Sequence, residues 1–140
     1  MGFGCSRGPL QVVNSGPVDL NAAVTQAKAQ NKLVLLDFTG SDWCVPCMRL
    51  QKEIFSRPEF QTFAASNLVF VVVDFPSKFR FPAETTATNE FLRGKFSVDG
   101  FPTLVALNGD GKEIWRRLGP LPGGLKSLDA ELASAKSQAK

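Results

Sequence analysis

The chain reads as an α/β domain: a central mixed β-sheet flanked by helices on both faces. Three observations predict it. Two apolar runs, Leu33 to Phe38 and Leu68 to Val73, are separated by helix-compatible sequence, as in parallel central strands joined by a crossover. Asn108-Gly109-Asp110-Gly111 is a strong hairpin turn between two later strands, so the sheet is mixed. Apolar stripes at helical spacing lie between and after the strands, and each needs a sheet face to cover it.

The elements follow in order. Residues 1–17 are rich in Gly, Ser and Pro and read as a tail or linker, with Val12-Val13 adding a short edge strand. Residues 18–140 form one domain. Asp19 is an N-cap for a first helix whose Leu20, Ala23, Val24 and Ala27 share one face, and Asn31-Lys32 ends it. Leu33 to Phe38 is apolar but for Asp37, as expected of a strand buried on both faces. A helix over Met48 to Phe55 places Cys47, Leu50 and Ile54 on one side. Ser56 is expected to cap the next helix, with Pro58 in its first turn and Glu59 at the capping-box position. Phe60, Phe63 and Ala64 are its apolar side. Leu68 to Val73 is the clearest strand. Pro76 to Thr88 is a long connection, and a helix over Asn89 to Phe96 turns Leu92 and Phe96 inward. Thr103 to Leu107 and Glu113 to Leu118 flank the hairpin turn. Leu121, Leu125, Leu128 and Leu132 mark the stripe of a last helix.

Composition narrows the function. The chain has 140 residues, 44% of them apolar, enough for one real core. The net charge of +3 is scattered, so nucleic-acid binding is not expected. No apolar run is long enough to span a bilayer. Histidine is absent, which removes Cys/His zinc sites and imidazole-paired nucleophiles. The three cysteines, Cys5, Cys44 and Cys47, divide into one close pair and one outlier.

That pair carries the chemistry. Trp43-Cys44-Val45-Pro46-Cys47 sits between a strand and a helix. Cys44 therefore falls at a helix N-terminus, where unpaired N–H groups and the helix dipole favour an anion. The thiolate is the form that attacks a disulfide. Cys44 is read as an exposed nucleophile titrating below the free value of about 8.5, and Cys47 as the buried resolving thiol. Pro46 is tolerated because the first helical turn loses no hydrogen bond there. The alternatives are a structural bridge or a metal clip. Two ligands fall short of the usual four, so no metal is expected.

With its order of elements, the Cys-x-x-Cys pair, Asp37 in a buried strand, and Gly100-Phe101-Pro102-Thr103, the chain resembles the thioredoxin-fold family over roughly Asp19 to Leu132. Within it, the stretches Asp37 to Cys44 and Phe55 to Phe60 resemble bacterial thioredoxin-like putative disulfide isomerases. It differs in three ways: a loop from Asp37 to Cys44 one residue longer than in thioredoxin proper, a Val-Pro pair between the cysteines, and an enlarged connection before the third helix.

The resemblance implies a thioredoxin fold and a thiol–disulfide oxidoreductase acting on protein cysteines, favouring the reductase or isomerase direction, with no cofactor. It implies that Cys44 and Cys47 form a redox-active disulfide and that Pro102 is cis and lies beside it. Phe101 would present its backbone to an extended substrate, and Trp43 would shield the thiols. Asp37 would lie beneath Cys47, its pKa raised by burial, and take the proton of that thiol; the alternative is a strand-end aspartate capping a loop. The runner-up function is a non-catalytic adaptor or metal-handling module.

Partners follow from this reading: proteins with disulfides or thiols and a redox partner supplying or accepting electrons, with the chain itself a monomer. Lys78-Phe79-Arg80-Phe81 follows a parallel strand and so emerges at the edge that carries the cysteines. It reads as a partner-binding lip or, alternatively, as two phenylalanines folded onto the core. Gly4-Cys5-Ser6 resembles the end of a bacterial lipoprotein signal, and Met1-Gly2 with Ser6 fits N-myristoylation, with Cys5 as a second acyl site. Either would give a lipid anchor at the N-terminus. A trimmed leader and an extracytoplasmic setting, periplasmic or membrane-anchored, fit the family best; the cytoplasm is the alternative.

Overall fold

β2 (Leu33–Thr39) and β3 (Leu68–Asp74) run parallel at the centre, in register from Leu33↔Leu68 to Thr39↔Asp74. A computed structural model describes residues 11–12 and 16–139 of the chain. β4 (Thr103–Leu107) pairs antiparallel with the other side of β2, and β5 (Glu113–Leu118) antiparallel with β4. The expected edge strand forms over β1 (Gln11–Val12), parallel to β3. The sheet order is β1-β3-β2-β4-β5. Position 13 and the acylation patterns at Gly2, Cys5 and Ser6 lie outside the described residues.

Every residue of β2 is buried because alternate side chains enter two separate cores. Val34, Leu36 and Phe38 face α1 (Leu20–Gln30) and α4 (Ala83–Lys95). Leu33 and Leu35 face the other layer, made by α2 (Val45–Leu50), the π-helical turn Gln51–Phe55 that continues it, α3 (Pro58–Asn67) and α5 (Gly124–Gln138). Asp37 shares the parity of Leu33 and Leu35. It therefore points to the layer that contains the start of α2.

The helix ends obey local chemistry. The Asp19 carboxylate accepts the Ala22 N–H at 3.0 Å, and Asn31 closes α1 in the left-handed region. In the hairpin turn Asn108 Oδ1 accepts the N–H groups of Asp110 and Lys112, while Gly111 takes φ +81°.

Two expectations need correction. Ser56 does not cap α3: its hydroxyl donates to the Lys52 carbonyl, its N–H to the Gln51 carbonyl, and Arg57 holds the N-cap position. The preceding helix runs on through its π turn and takes Ser56 as its own end. The third crossover helix, α4, begins at Ala83 and not at Asn89. Its inner face carries Thr85 and Asn89, both buried, where an apolar stripe would have revealed it. Among the described residues no helix is long and apolar enough to cross a membrane.

Candidate active site

The site starts where β2 ends. The Gly40 carbonyl accepts the N–H groups of Trp43 and Cys44, at 3.3 and 2.9 Å, turning the chain into α2. A side chain on Gly40 would run into the Trp43 indole. Gly40→Ala is therefore expected to cost about 1–3 kcal/mol of stability, the usual penalty for overpacking, and to shift the tryptophan emission. An unchanged urea midpoint would mean that the indole swings aside freely.

Cys44 is the N-cap of α2. Its Sγ accepts the Cys47 N–H at 3.3 Å, so the sulfur occupies the position that capping oxygens take. Cys44 and Cys47 are joined by a disulfide, with Cα atoms 5.2 Å apart. Cys44 is not the exposed cysteine expected: the two are 5% and 4% exposed. In the closed ring the Cys44 sulfur lies over the helix start, where it accepts the Cys47 N–H. What the surface displays is apolar: Trp43, Val45 and Met48 are all exposed.

Trp43 is held at the surface and is not a core residue. Its Nε1 donates to the Phe75 carbonyl at 2.7 Å. Its ring meets Phe101 edge-on at 5.8 Å. Phe101 also stacks against Phe75 at 5.2 Å, with the Arg93 guanidinium over its face. The Phe101–Pro102 bond is cis. Pro102 directly precedes β4, whose Thr103 pairs with Phe38. The proline thus lies at the sheet end from which the cysteine loop departs, and the ring of its neighbour touches the residue before Cys44.

Asp37 is 4% exposed, and among the described residues no donor is bonded to its carboxyl. Burial pushes its pKa up to about 7, and the nearby Asp74 carboxylate pushes in the same direction. Asp74 pairs with Thr39 across the sheet and is tied to the cysteine loop: Ser41 N–H and Oγ reach its two oxygens at 3.0 and 2.5 Å.

Next along the chain, Asp42 accepts the N–H groups of Ser77 and Lys78 at 2.9 and 2.8 Å. The Ser77 bond is the main reason its pKa falls below the ordinary carboxylate value. Three consecutive residues, Ser41, Asp42 and Trp43, thus clasp the segment from Asp74 to Lys78. This clasp was not anticipated from sequence. Asp74 ends an apolar strand as Asp37 nearly ends its neighbour, and that parallel was the available signal. Phe79 and Phe81 pack edge-to-face on each other at 5.4 Å, with Phe79 49% exposed, and they do not fold onto the core.

A Cys-x-x-Cys disulfide at a helix start, a cis-proline before the adjoining strand and a buried aspartate in the strand that leads to the cysteine loop define a thiol–disulfide oxidoreductase. A family model described as a thioredoxin-like domain matches residues 20–131, and the chain belongs to that family. It is similar to the disulfide bond reductase DsbH of Chlamydia pneumoniae, with 39% identity over 113 residues, covering 81% of this chain and 68% of that one. A solved structure titled DsbH oxidoreductase superposes with a TM-score of 0.76 at 34% identity, covering 96% of this chain and 94% of the other. The thiol:disulfide interchange protein DsbD of Pseudoalteromonas atlantica is 35% identical over 97 residues. These are 69% of this chain and only 15% of DsbD.

Proposed function

We propose that the protein reduces or isomerises disulfides in other proteins, with Cys44 as attacking thiol and Cys47 as resolving thiol. The Cys44 thiolate attacks one sulfur of a substrate disulfide, and the other sulfur leaves as a thiolate. Asp37 accepts the proton of Cys47, whose thiolate attacks Cys44 Sγ in the mixed disulfide and releases the second substrate sulfur. Two electrons pass to the substrate and the Cys44–Cys47 disulfide is closed. A dithiol reductant must reopen it. The observation that carries this reading is the capping position of Cys44 Sγ, which favours its thiolate. Trp43, Phe101 and Pro102 would seat the substrate chain. The reductase named among its relatives supports the direction. One copy supplies both sulfurs, so a monomer suffices. An extracytoplasmic setting belongs to the same reading and rests on the resemblance to bacterial thioredoxin-like proteins.

Acceleration of insulin reduction by dithiothreitol tests the function; precipitation no faster than with dithiothreitol alone would sink it. The direction is tested by the reduction potential. Val45 offers only its backbone N–H and Pro46 none, so the Cys44 thiolate gains little beyond the helix start. The potential is expected below about −180 mV; a value near −120 mV belongs to strong oxidants. Equilibration with glutathione buffers measures it.

A further inference from the structure

We propose that the loop from Pro76 to Phe81 is a specificity lip that selects an extended partner segment bearing a carboxylate and a large apolar side chain beside its cysteine. The inference rests on the oxidoreductase reading and adds which clients it prefers. Three observations converge.

The start of the lip is fixed at the redox site, since Trp43 and Asp42, immediately before Cys44, bond to Phe75, Ser77 and Lys78. It is cationic: among the described residues neither Lys78 nor Arg80 has a carboxylate within ion-pair distance, and Asp42 feels the Lys78 charge only from beyond it. Of the acids nearby, Asp42 is bonded to the loop backbone, Glu90 pairs with Arg93 at 3.6 Å, and Glu84 lies in the first turn of α4, where the helix dipole meets it. Finally, Arg80 lines a recess of about 240 Å³ together with Phe75, Phe79 and Phe81; Asp74 and Glu90 also line it, and Ser41 holds the Asp74 carboxylate at 3.0 and 2.5 Å. Three phenylalanines around a recess beside the Arg80 cation fit an apolar side chain with an acid as its neighbour. A basic partner segment would meet like charge.

The test uses two cysteine peptides activated as neutral pyridyl disulfides, Glu-Phe-Cys-Ala-Glu and Lys-Phe-Cys-Ala-Lys, and compares kcat/KM with a dithiol reductant present. The acidic peptide should be preferred about five- to tenfold at low salt, as for two rim ion pairs, and the preference should shrink at high salt. Lys78→Glu/Arg80→Glu should reverse it while leaving reduction of 2-hydroxyethyl disulfide within twofold. Phe79→Ala should slow both peptides and spare the small disulfide. Equal kcat/KM for the two peptides in the wild type, or the same ratio in the charge-reversed protein, overturns the lip. A parallel loss with the small disulfide also overturns it, as the loop would then be supporting the fold. A wild-type dimer made monomeric by Phe79→Ala would assign the surface to a second copy and overturn the client reading. If the wild type reduces neither peptide nor the small disulfide, it is the oxidoreductase reading that fails.

Discussion

Cys44→Ser is expected to reduce insulin at the uncatalysed rate, with nothing left above dithiothreitol alone, whereas Cys47→Ser should become a trap. The asymmetry comes from the helix start. Only the Cys44 sulfur sits where the α2 N–H groups stabilise a thiolate, because its Sγ already accepts the Cys47 N–H. Serine at position 44 keeps a capping oxygen, and so should preserve the fold, but supplies no nucleophile at neutral pH. With Cys44 intact and Cys47 removed, the first attack proceeds and resolution cannot. One partner sulfur per chain should then accumulate as a mixed disulfide, visible on a non-reducing gel and identifiable by mass spectrometry. Adducts on Cys44→Ser and none on Cys47→Ser would exchange the two roles. Full activity in Cys44→Ser would remove the pair from the reaction.

Asp37→Asn should make the oxidised protein more stable at pH 8 and slower to resolve the mixed disulfide. The carboxyl titrates near 7 in the fold against 3.8 for an ordinary aspartate, about 3 units, which corresponds to an upper bound on the order of 4 kcal/mol. The sign follows from proton uptake. Between roughly pH 4 and 7 the folded protein holds a proton on Asp37 that the unfolded chain has lost, so stability falls as pH rises through this window. Above it the penalty is constant; below it both states are protonated. Asparagine cannot ionise and escapes the loss. Urea midpoints of wild type and variant should therefore diverge from pH 4 to 7 and stay apart above. Coincident midpoints at pH 8 would mean that the carboxylate is solvated. The same raised pKa suits a base near neutral pH. Single-turnover kinetics should show resolution slowed with formation unchanged, and equal rates would leave Asp37 a structural residue.

The fold was legible wherever apolar spacing or turn chemistry was unambiguous. The two central strands, the Asn108 to Gly111 turn, the Asp19 cap and the Leu128/Leu132 face are all local signals that the fold preserved. Legibility failed where the inner face is polar. Thr85 and Asn89 hide the first half of α4, and Asn89 is there to donate to the Asp74 carbonyl, a contact 15 residues away in sequence. It failed also at Ser56, because a π turn extends the preceding helix past the point where spacing suggests a stop.

The sequence by itself determined the redox pair, the helix start that carries it and the layer arrangement, because strand periodicity, capping and the Cys-x-x-Cys spacing act over a few residues. Tertiary structure alone decided three things. It buried Cys44 along with Cys47. It brought Asp37 and Asp74 into one electrostatic site through the β2–β3 register. It clamped the Phe75 to Lys78 segment beside Cys44 through Asp42 and Trp43. Each depends on where distant segments meet, and burial and Coulomb interaction are properties of that meeting, not of any residue alone.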